Sequence, residues 1–205
     1  MPDEPPRTRI QQKNRATILD AALGVFSQHG FRGATLDQIA KAAGLSKPNV
    51  LYYYVSKEAI HEELVSGLID DWIEPLRGLG PDGDPIEQIL GYLRRKLDMS
   101  RRMPRESRLF ANEIVQGAPR FGPEITGGFK TLVDEKAAMI QGWCDAGKIA
   151  AYDPYHLIFS IWATTQHYAD FDVQVRGILA PSADEHFDDA AEFLTTFYRA
   201  ALTPR

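Results

Sequence analysis

Apolar residues along the chain recur at intervals of three and four, the spacing that places them on one face of an α-helix. The first such segment covers residues 11–29 and is followed by Gly30, a residue type typical of helix ends. Its apolar face consists of Ile18, Ala22, Val25 and Phe26. The alternation typical of β-strands is nearly absent, so the pattern predicts an all-α protein of about nine helices.

Helix start signals precede each later apolar segment, because short polar side chains there can accept a hydrogen bond from the first helical turn. These residues are Thr35, Ser46, Ser56, Asp84, Asp153 and Ser182. The first and last of them are followed three residues later by Gln38 and Glu185, which predicts a capping box at both places. Pro85 and Pro154 stand at first helical positions, which proline favours. The later segments are predicted at about 104–116, 124–146, 154–175 and 183–201.

The helices divide the chain into a small first domain and a larger second one. Residues 1–10 are rich in proline and charge, which predicts a disordered tail. Three short helices occupy 11–56, and longer helices occupy 57–205. We therefore expect an N-terminal three-helix domain over 11–56 and a larger helical domain over 57–205.

The segment 35–54 contains two short predicted helices joined by a turn at 43–46 that includes Gly44. This order is the pattern of a helix-turn-helix, whose second helix enters the major groove of DNA. Tyr54 follows Val50 by four residues and is expected to lie in the core of this domain.

The second helix of this motif carries side chains that suit DNA. Lys47 can contact phosphate or guanine, and Asn49 can pair with adenine through two hydrogen bonds. Tyr52, Tyr53 and Lys57 supply hydroxyl and ammonium donors for the DNA backbone. Since adjacent tyrosines cannot share one helix face, at least one of Tyr52 and Tyr53 should point outward. The candidate DNA-binding residues are Thr35, Ser46, Lys47, Asn49, Tyr52, Tyr53 and Lys57.

The charge of the chain is uneven between these domains. Residues 1–60 contain eight Lys or Arg and five Asp or Glu, a balance of +3, and the whole chain carries −5. The remaining residues therefore carry −8. A basic first domain on an acidic second domain suits a module that binds phosphate. Chance variation of charge among solvent-exposed surfaces would produce the same imbalance.

Signals for enzymes and metal sites are poor. Cys144 is the one cysteine, which excludes an internal disulfide framework and a cysteine-based zinc site. Residues 78–83 match G-x-G-x-x-G, but Pro81 interrupts the motif and no strand precedes it, which predicts a loop. His61 begins a zinc-protease motif, but Val65 stands where the second histidine is required. The sequence predicts no enzyme, no cofactor and no metal site.

The location of the chain is predicted from its apolar runs. None approaches the roughly 20 residues that a membrane span needs. The N-terminal residues lack the apolar stretch of a signal peptide. We expect a cytoplasmic protein with no membrane partner.

Residues 11–60 resemble the DNA-binding region of the TetR family of transcriptional regulators. The matching runs are TLDQIAKAAGLSK at 35–47 and LYYYVSKEAI at 51–60. The family usually has a glycine where this chain has Pro48 and an aromatic residue where it has Leu51. The resemblance implies a DNA-binding regulator, with repression as the family's common mode.

The resemblance also implies a homodimer. In the family, the variable second domain binds a small effector and forms the dimer, and the effector moves the two DNA-binding domains so that DNA is released. By resemblance, the helices at about 154–177 and 183–201 would form a four-helix bundle with their copies. A two-fold dimer implies a palindromic operator of double-stranded DNA.

The resemblance extends over most of the chain to a subgroup of that family, the regulators of pyrimidine utilisation, which respond to uracil. The matching runs are KPNVLYY at 47–53, DWIEPL at 71–76, SRLF at 107–110, DEK at 134–136 and HLIFSIWATTQHYADF at 156–171. This resemblance implies effector contacts from Trp72, Trp162 and Gln166, with Phe110 as a further candidate.

The chemistry of these residues suits a planar heterocycle. Trp162 and Gln166 are four residues apart and therefore share a helix face. An indole can stack on a flat ring, and a carboxamide supplies both the donor and the acceptor that match the edge of uracil. The effector could be uracil, thymine or a larger molecule. Tryptophans at helical spacing are also typical of a plain hydrophobic core, so both interpretations stay open.

Two other functions compete with that of an effector-released regulator. One is a helical protein of the same fold that binds a different small molecule and has little affinity for DNA. The other is an all-α enzyme with a tryptophan-lined cavity, for which the sequence offers no catalytic pair.

Overall fold

The computed structural model describes residues 9–119 and 125–204, and that part contains ten α-helices, one short π-helix and no strand. The prediction of an all-α chain is therefore confirmed. In chain order the helices are α1 (Arg9–Gly33), α2 (Leu36–Ala42), α3 (Lys47–Tyr53), α4 (Lys57–Arg77), α5 (Pro85–Arg102), α6 (Pro104–Val115), the π-helix (Ile125–Phe129), α7 (Lys130–Asp145), α8 (Pro154–Asp170), α9 (Asp172–Leu179) and α10 (His186–Leu202). None of them is long and apolar enough to cross a lipid bilayer.

Most of the predicted start signals act as helix caps. The Thr35 hydroxyl accepts a hydrogen bond from the Gln38 N–H at 3.2 Å, and the Gln38 carboxamide accepts one from the Thr35 N–H at 2.8 Å. This confirms the first capping box. Ser46, Asp84 and Asp153 accept first-turn N–H groups of α3, α5 and α8 in the same way.

Three predicted helix bounds are wrong. α1 continues through Gly30 to Gly33, and the glycine, with φ 64° and ψ 173°, forms a kink instead of an end. The helix predicted over 154–175 breaks at Phe171, which separates α8 from α9. The predicted Ser182 box does not form, because Ala183 has φ +47° and the Arg176 guanidinium binds the Ala183 carbonyl oxygen at 2.7 Å. α10 therefore begins only at His186. Of the predicted disordered tail over 1–10, residues 9 and 10 instead belong to α1. Residues 1–8 of that tail lie outside the described residues, as do residues 120–124.

The chain forms two compact units. Unit 1 comprises residues 1–68 and 108–120 and contains α1, α2, α3, the first part of α4 and the second part of α6. Its core contains the fully buried side chains of Ile18, Phe26, Ile39, Val50 and Ile60. The turn between α2 and α3 places Gly44 at φ +67°, a conformation that side chains disfavour, so a glycine is needed there.

Unit 2 comprises residues 69–107 and 121–205. α5 lies at its centre and packs against both α8 and α10. The core side chains shared by these helices are Leu90, Leu93, Leu97, Ile158, Ile161 and Leu194. One face of α5 is therefore enclosed by helices, and any polar side chain on that face lies inside the unit.

Candidate nucleic-acid interface and effector site

The second helix of the helix-turn-helix presents an exposed polar surface. Lys47, Asn49 and Tyr52 of α3 are all exposed, as are Thr35 and Ser46 at the starts of α2 and α3. Tyr52 has 72 % of its surface exposed, so it is the outward-pointing member of the tyrosine pair. Tyr54 is buried at 3 % exposure, as predicted. The arrangement leaves α3 accessible for the major groove, and the individual DNA contacts stay predictions.

Lys47 already has an anionic partner within unit 1. Its ammonium lies 2.9 Å from the Asp37 carboxylate, and both side chains are largely exposed. An exposed pair of this kind contributes about 0–1 kcal/mol, so a phosphate can replace the carboxylate at little cost. The pair joins the first residue of α3 to α2.

Tyr53 and Lys57 are held by hydrogen bonds inside unit 1. The Tyr53 hydroxyl accepts a hydrogen bond from the Asn14 carboxamide at 2.7 Å. The Lys57 ammonium donates to the carbonyl oxygens of Phe31 and Ala34 at 2.7 and 2.8 Å. Both side chains therefore fix α3 and α4 on α1 and on the turn after it. Their predicted contacts with the DNA backbone would be additional to this structural role.

α1 supplies a further connection that the sequence patterns do not indicate. The Arg15 guanidinium lies 4.2 Å from the centroid of the Tyr54 ring and forms an ion pair with Glu63. It also donates to the Tyr53 carbonyl oxygen at 2.9 Å. No periodicity identifies such a contact, because it joins residues almost forty positions apart.

In unit 2, Trp162 of α8 lies against α5. Its indole N–H donates to the Tyr92 hydroxyl at 2.6 Å, and its ring stacks on Phe129 with centroids 5.6 Å apart. Phe159 contacts it at 5.3 Å between centroids. Trp162 is thus half-buried among aromatic rings, with its polar atom on a buried hydroxyl.

Trp72 of α4 lies next to a buried lysine of α5. The Lys96 ammonium is 4.1 Å from the centroid of the Trp72 ring, a cation–π geometry. The two side chains have 2 % and 6 % of their surface exposed. Burial lowers the pKa of Lys96 to about 7, and the nearby Asp170 carboxylate acts in the opposite direction.

Asp170, at the end of α8, is held by the first turn of α6. The Ser107 hydroxyl is fully buried and donates to the Asp170 carboxylate at 2.6 Å. Since Trp162, Gln166 and Asp170 follow one another at four-residue intervals, they lie along one face of α8. Gln166 is half-buried in this row and makes no hydrogen bond through its side chain to any described residue.

Seven side chains of unit 2 form what we call the polar cluster: Trp72, Tyr92, Lys96, Ser107, Trp162, Gln166 and Asp170. Three of the four sequence-predicted effector residues belong to it. The fourth, Phe110, belongs to unit 1 and is half-buried there, so its role stays a prediction.

Tyr92 and Lys96 are not among the site residues that the sequence predicts, although the sequence contains a signal for Lys96. Positions 89, 93, 96 and 100 follow the helical period and form the inward face of α5. Lys96 interrupts that face with a charge. A lysine at an inward position is rare in a plain core, and this was the available indication.

Comparison with known proteins gives the family. Residues 18–64 match the model for bacterial regulatory proteins of the tetR family, and residues 65–205 match the model for the YcdC-like protein C-terminal region. The chain is 48 % identical over 201 residues to the HTH-type transcriptional regulator RutR of Escherichia coli strain K12, covering 97 % of this chain and 95 % of that protein.

Solved structures of low identity share the fold. The ketosteroid transcriptional regulator KstR2 of Mycobacterium tuberculosis aligns with a TM-score of 0.75 at 18 % identity, over 93 % of this chain and 95 % of that one. AibR in complex with isovaleryl coenzyme A and operator DNA aligns with a TM-score of 0.72 at 17 % identity, over 90 % and 97 %. The homologues of this chain are transcriptional regulators and not enzymes. The chain belongs to the TetR family of helix-turn-helix transcriptional regulators.

Proposed function

We propose that this regulator is a homodimeric repressor that binds a palindromic operator and is released by a small pyrimidine, uracil or thymine. The observation that carries the effector assignment is the polar cluster, in which aromatic rings and unspent hydrogen-bonding groups lie together inside unit 2. A planar ring with N–H and C=O groups along its edge matches this combination of indoles, carboxamide and ammonium.

Two helices supply a route from effector to DNA. α4 begins in unit 1 with Lys57 and continues into unit 2, where it carries Trp72. α6 begins in unit 2 and carries Ser107 there, whereas Glu113 belongs to unit 1. In unit 1, Glu113 and His61 of α4 form a buried pair 3.8 Å apart. A ligand that shifts either helix at the polar cluster shifts a continuous backbone that reaches the DNA-binding unit.

The face that we assign to the dimer lies on α8 and α10. Phe193 and Phe197 are 62 % and 56 % exposed on α10, and their rings stack with centroids 6.0 Å apart. Beside them a groove of about 400 Å³ runs between α8 and α10. Ser160 and Thr164 hydrogen-bond to Tyr198 and tie the two helices together below it. Exposed aromatic rings over a rigid base are typical of a protein–protein interface.

Lys47→Ala is expected to weaken binding to any DNA duplex by about the same factor, because a phosphate contact carries no sequence information. The measurement is fluorescence anisotropy with a random-sequence duplex over a range of salt concentrations. The slope of log affinity against log salt should fall by about 1 for each lysine lost per protomer.

Asn49→Ala is the matched contrast for this test. A base contact should change which sequences are enriched from a randomised DNA library and leave the salt slope unchanged. A Lys47→Ala protein whose salt slope equals that of the wild type would remove Lys47 from the phosphate contacts. A wild-type protein with no salt-dependent DNA affinity would favour the alternative of a small-molecule-binding protein without a DNA function.

Uracil is expected to bind the wild-type dimer saturably, and Gln166→Ala should weaken that binding roughly 10- to 100-fold, because the carboxamide loses two hydrogen bonds to the ring edge. Isothermal titration calorimetry with uracil and thymine measures both. His167→Ala is the control, since His167 is exposed on another face of α8. Absence of saturable binding of either base by the wild-type protein would contradict the pyrimidine assignment.

A further inference from the structure

Lys96 is a buried lysine whose N–H groups donate to no described residue. An ammonium carries three N–H donors. No described residue accepts a hydrogen bond from it or forms an ion pair with it, and its contact is the Trp72 ring at 4.1 Å. Burial of a charge without a hydrogen-bonding partner costs several kcal/mol, and a methionine would fill the same space without that cost. The contact with Trp72 and the charge of Asp170 offset only part of this cost, since burial still lowers the pKa of Lys96, which indicates a partner that arrives from outside.

A second unspent donor lies one helical turn away. The Tyr92 hydroxyl is buried and accepts the Trp162 indole N–H, but it donates to no described residue. Tyr92 and Lys96 are four residues apart on α5, so both donors project from the same face. Two neighbouring donors without acceptors match a ligand that brings oxygen atoms.

The row on α8 lies alongside these donors. Tyr92 contacts Trp162, and Lys96 experiences the charge of Asp170 two turns further along α8. Gln166 lies on the same face of α8, one turn from each of those two positions. The ammonium and the carboxamide are thus placed to meet the same ligand from two helices.

The charges of the polar cluster favour a neutral ligand. The Lys96 ammonium and the Asp170 carboxylate carry opposite charges, so an anion that gains from the first is also repelled by the second. A neutral ring with carbonyl oxygens and N–H groups avoids this conflict. It accepts from the ammonium through a carbonyl oxygen and exchanges donor and acceptor with the carboxamide.

We propose that Lys96 is a specificity-determining residue that donates a hydrogen bond to a carbonyl oxygen of the pyrimidine effector while its charge lies over Trp72. This inference rests on the pyrimidine effector proposed above and adds the group that distinguishes a dione from a ring with one carbonyl. Uracil has two ring carbonyl groups, and removal of the one that Lys96 contacts should have the same effect as removal of the ammonium.

The test is calorimetry of the full-length dimer with three probes: uracil, 2-pyrimidinone, which lacks the 4-carbonyl, and 4-pyrimidinone, which lacks the 2-carbonyl. Lys96→Met should weaken uracil binding roughly 10- to 100-fold, the range for a hydrogen bond to a charged group. One of the two pyrimidinones should bind the wild type more weakly than uracil does, by a similar factor. Its affinity should fall little further in Lys96→Met. This non-additivity is the signature of a direct contact.

Lys136→Met is the matched control. Lys136 is also a buried lysine of unit 2, at 8 % exposure, but it has the Glu135 carboxylate 2.9 Å away. Its replacement should leave uracil affinity unchanged. Thermal unfolding of each variant shows that the protein tested is folded.

Two outcomes would overturn the inference, and they differ. If Lys96→Met binds uracil as tightly as the wild type does, the Lys96 assignment is wrong and the pyrimidine effector stands. If the wild type binds none of the three probes, the effector assignment fails and takes the role of Lys96 with it.

Discussion

Phe197→Glu is expected to convert the proposed homodimer into monomers with a mass near 23.0 kDa at micromolar concentration. Phe197 is 56 % exposed on α10 and stacks on Phe193, so the free chain leaves much of an aromatic pair in water. In a two-fold dimer each substitution occurs twice, since the same face meets its copy.

The expected size of this effect follows from apolar burial. Full burial of a phenylalanine contributes about 1.5–3 kcal/mol. Since only the exposed 56 % of Phe197 can be newly buried, two copies contribute roughly 2–3 kcal/mol, which corresponds to a factor of about 10² in the dimer dissociation constant. A glutamate in the same place adds the cost of desolvating a carboxylate. Affinity for a two-fold operator should fall together with the dimer, because each protomer then binds one half-site alone.

Sedimentation equilibrium at several protein concentrations measures the dissociation constant. Val115→Glu is the control, because Val115 is an apolar residue that is 86 % exposed at the end of α6 and outside the proposed face. That variant should keep the dimer. A Phe197→Glu protein that remains a dimer with the wild-type constant would place the interface elsewhere.

The helix-turn-helix could be predicted in detail because its determinants are local. Thr35 and Gln38 form a capping box within four residues, and Gly44 satisfies the one turn position that requires a positive φ. Tyr54 shows its burial through its spacing from Val50. Each of these signals depends only on neighbours in the chain, so a single sequence contains them.

Long-range contacts set the features that could not be predicted. The start of α10 moved to His186 because Arg176 binds the turn at 183–184. The capping sequence that begins at Ser182 does not show that Arg176 will bind this turn. Likewise, the sequence identifies Trp162 as a candidate contact, but the partner of its indole, Tyr92, is seventy positions away. Tertiary packing determines which distant side chains meet, and the spacing of residues along the chain does not show it.

Lys96→Met is expected to stabilise the protein against unfolding, and most strongly below neutral pH. The pKa of Lys96 is about 7 in the folded chain against an ordinary value of 10.5, and the cause is burial, which the Asp170 carboxylate only partly offsets. Between those values the unfolded chain binds more protons than the folded chain. The contribution of Lys96 therefore makes the wild type more stable as pH rises from 7 toward 10.5.

Below pH 7 the lysine is protonated in both states and its full burial cost is present, about 5 kcal/mol from the difference between the two pKa values. Methionine fills the space without that cost, so the gain of the variant over the wild type should be largest near pH 6. A gain of that size corresponds to a rise in Tm of roughly 10 °C for a chain of this length. The gain should shrink as pH rises, because deprotonation relieves the wild type.

Thermal unfolding of the two proteins at pH 6 and pH 9, at one fixed protein concentration, measures the difference. Lys136→Met should show no such gain, since it removes a lysine that has a carboxylate partner. An unchanged Tm at both pH values would mean that the Lys96 ammonium is solvated or paired in the folded chain. A variant that is more stable and yet binds uracil weakly would show that Lys96 is kept for ligand binding at the expense of stability, as residues of functional sites often are.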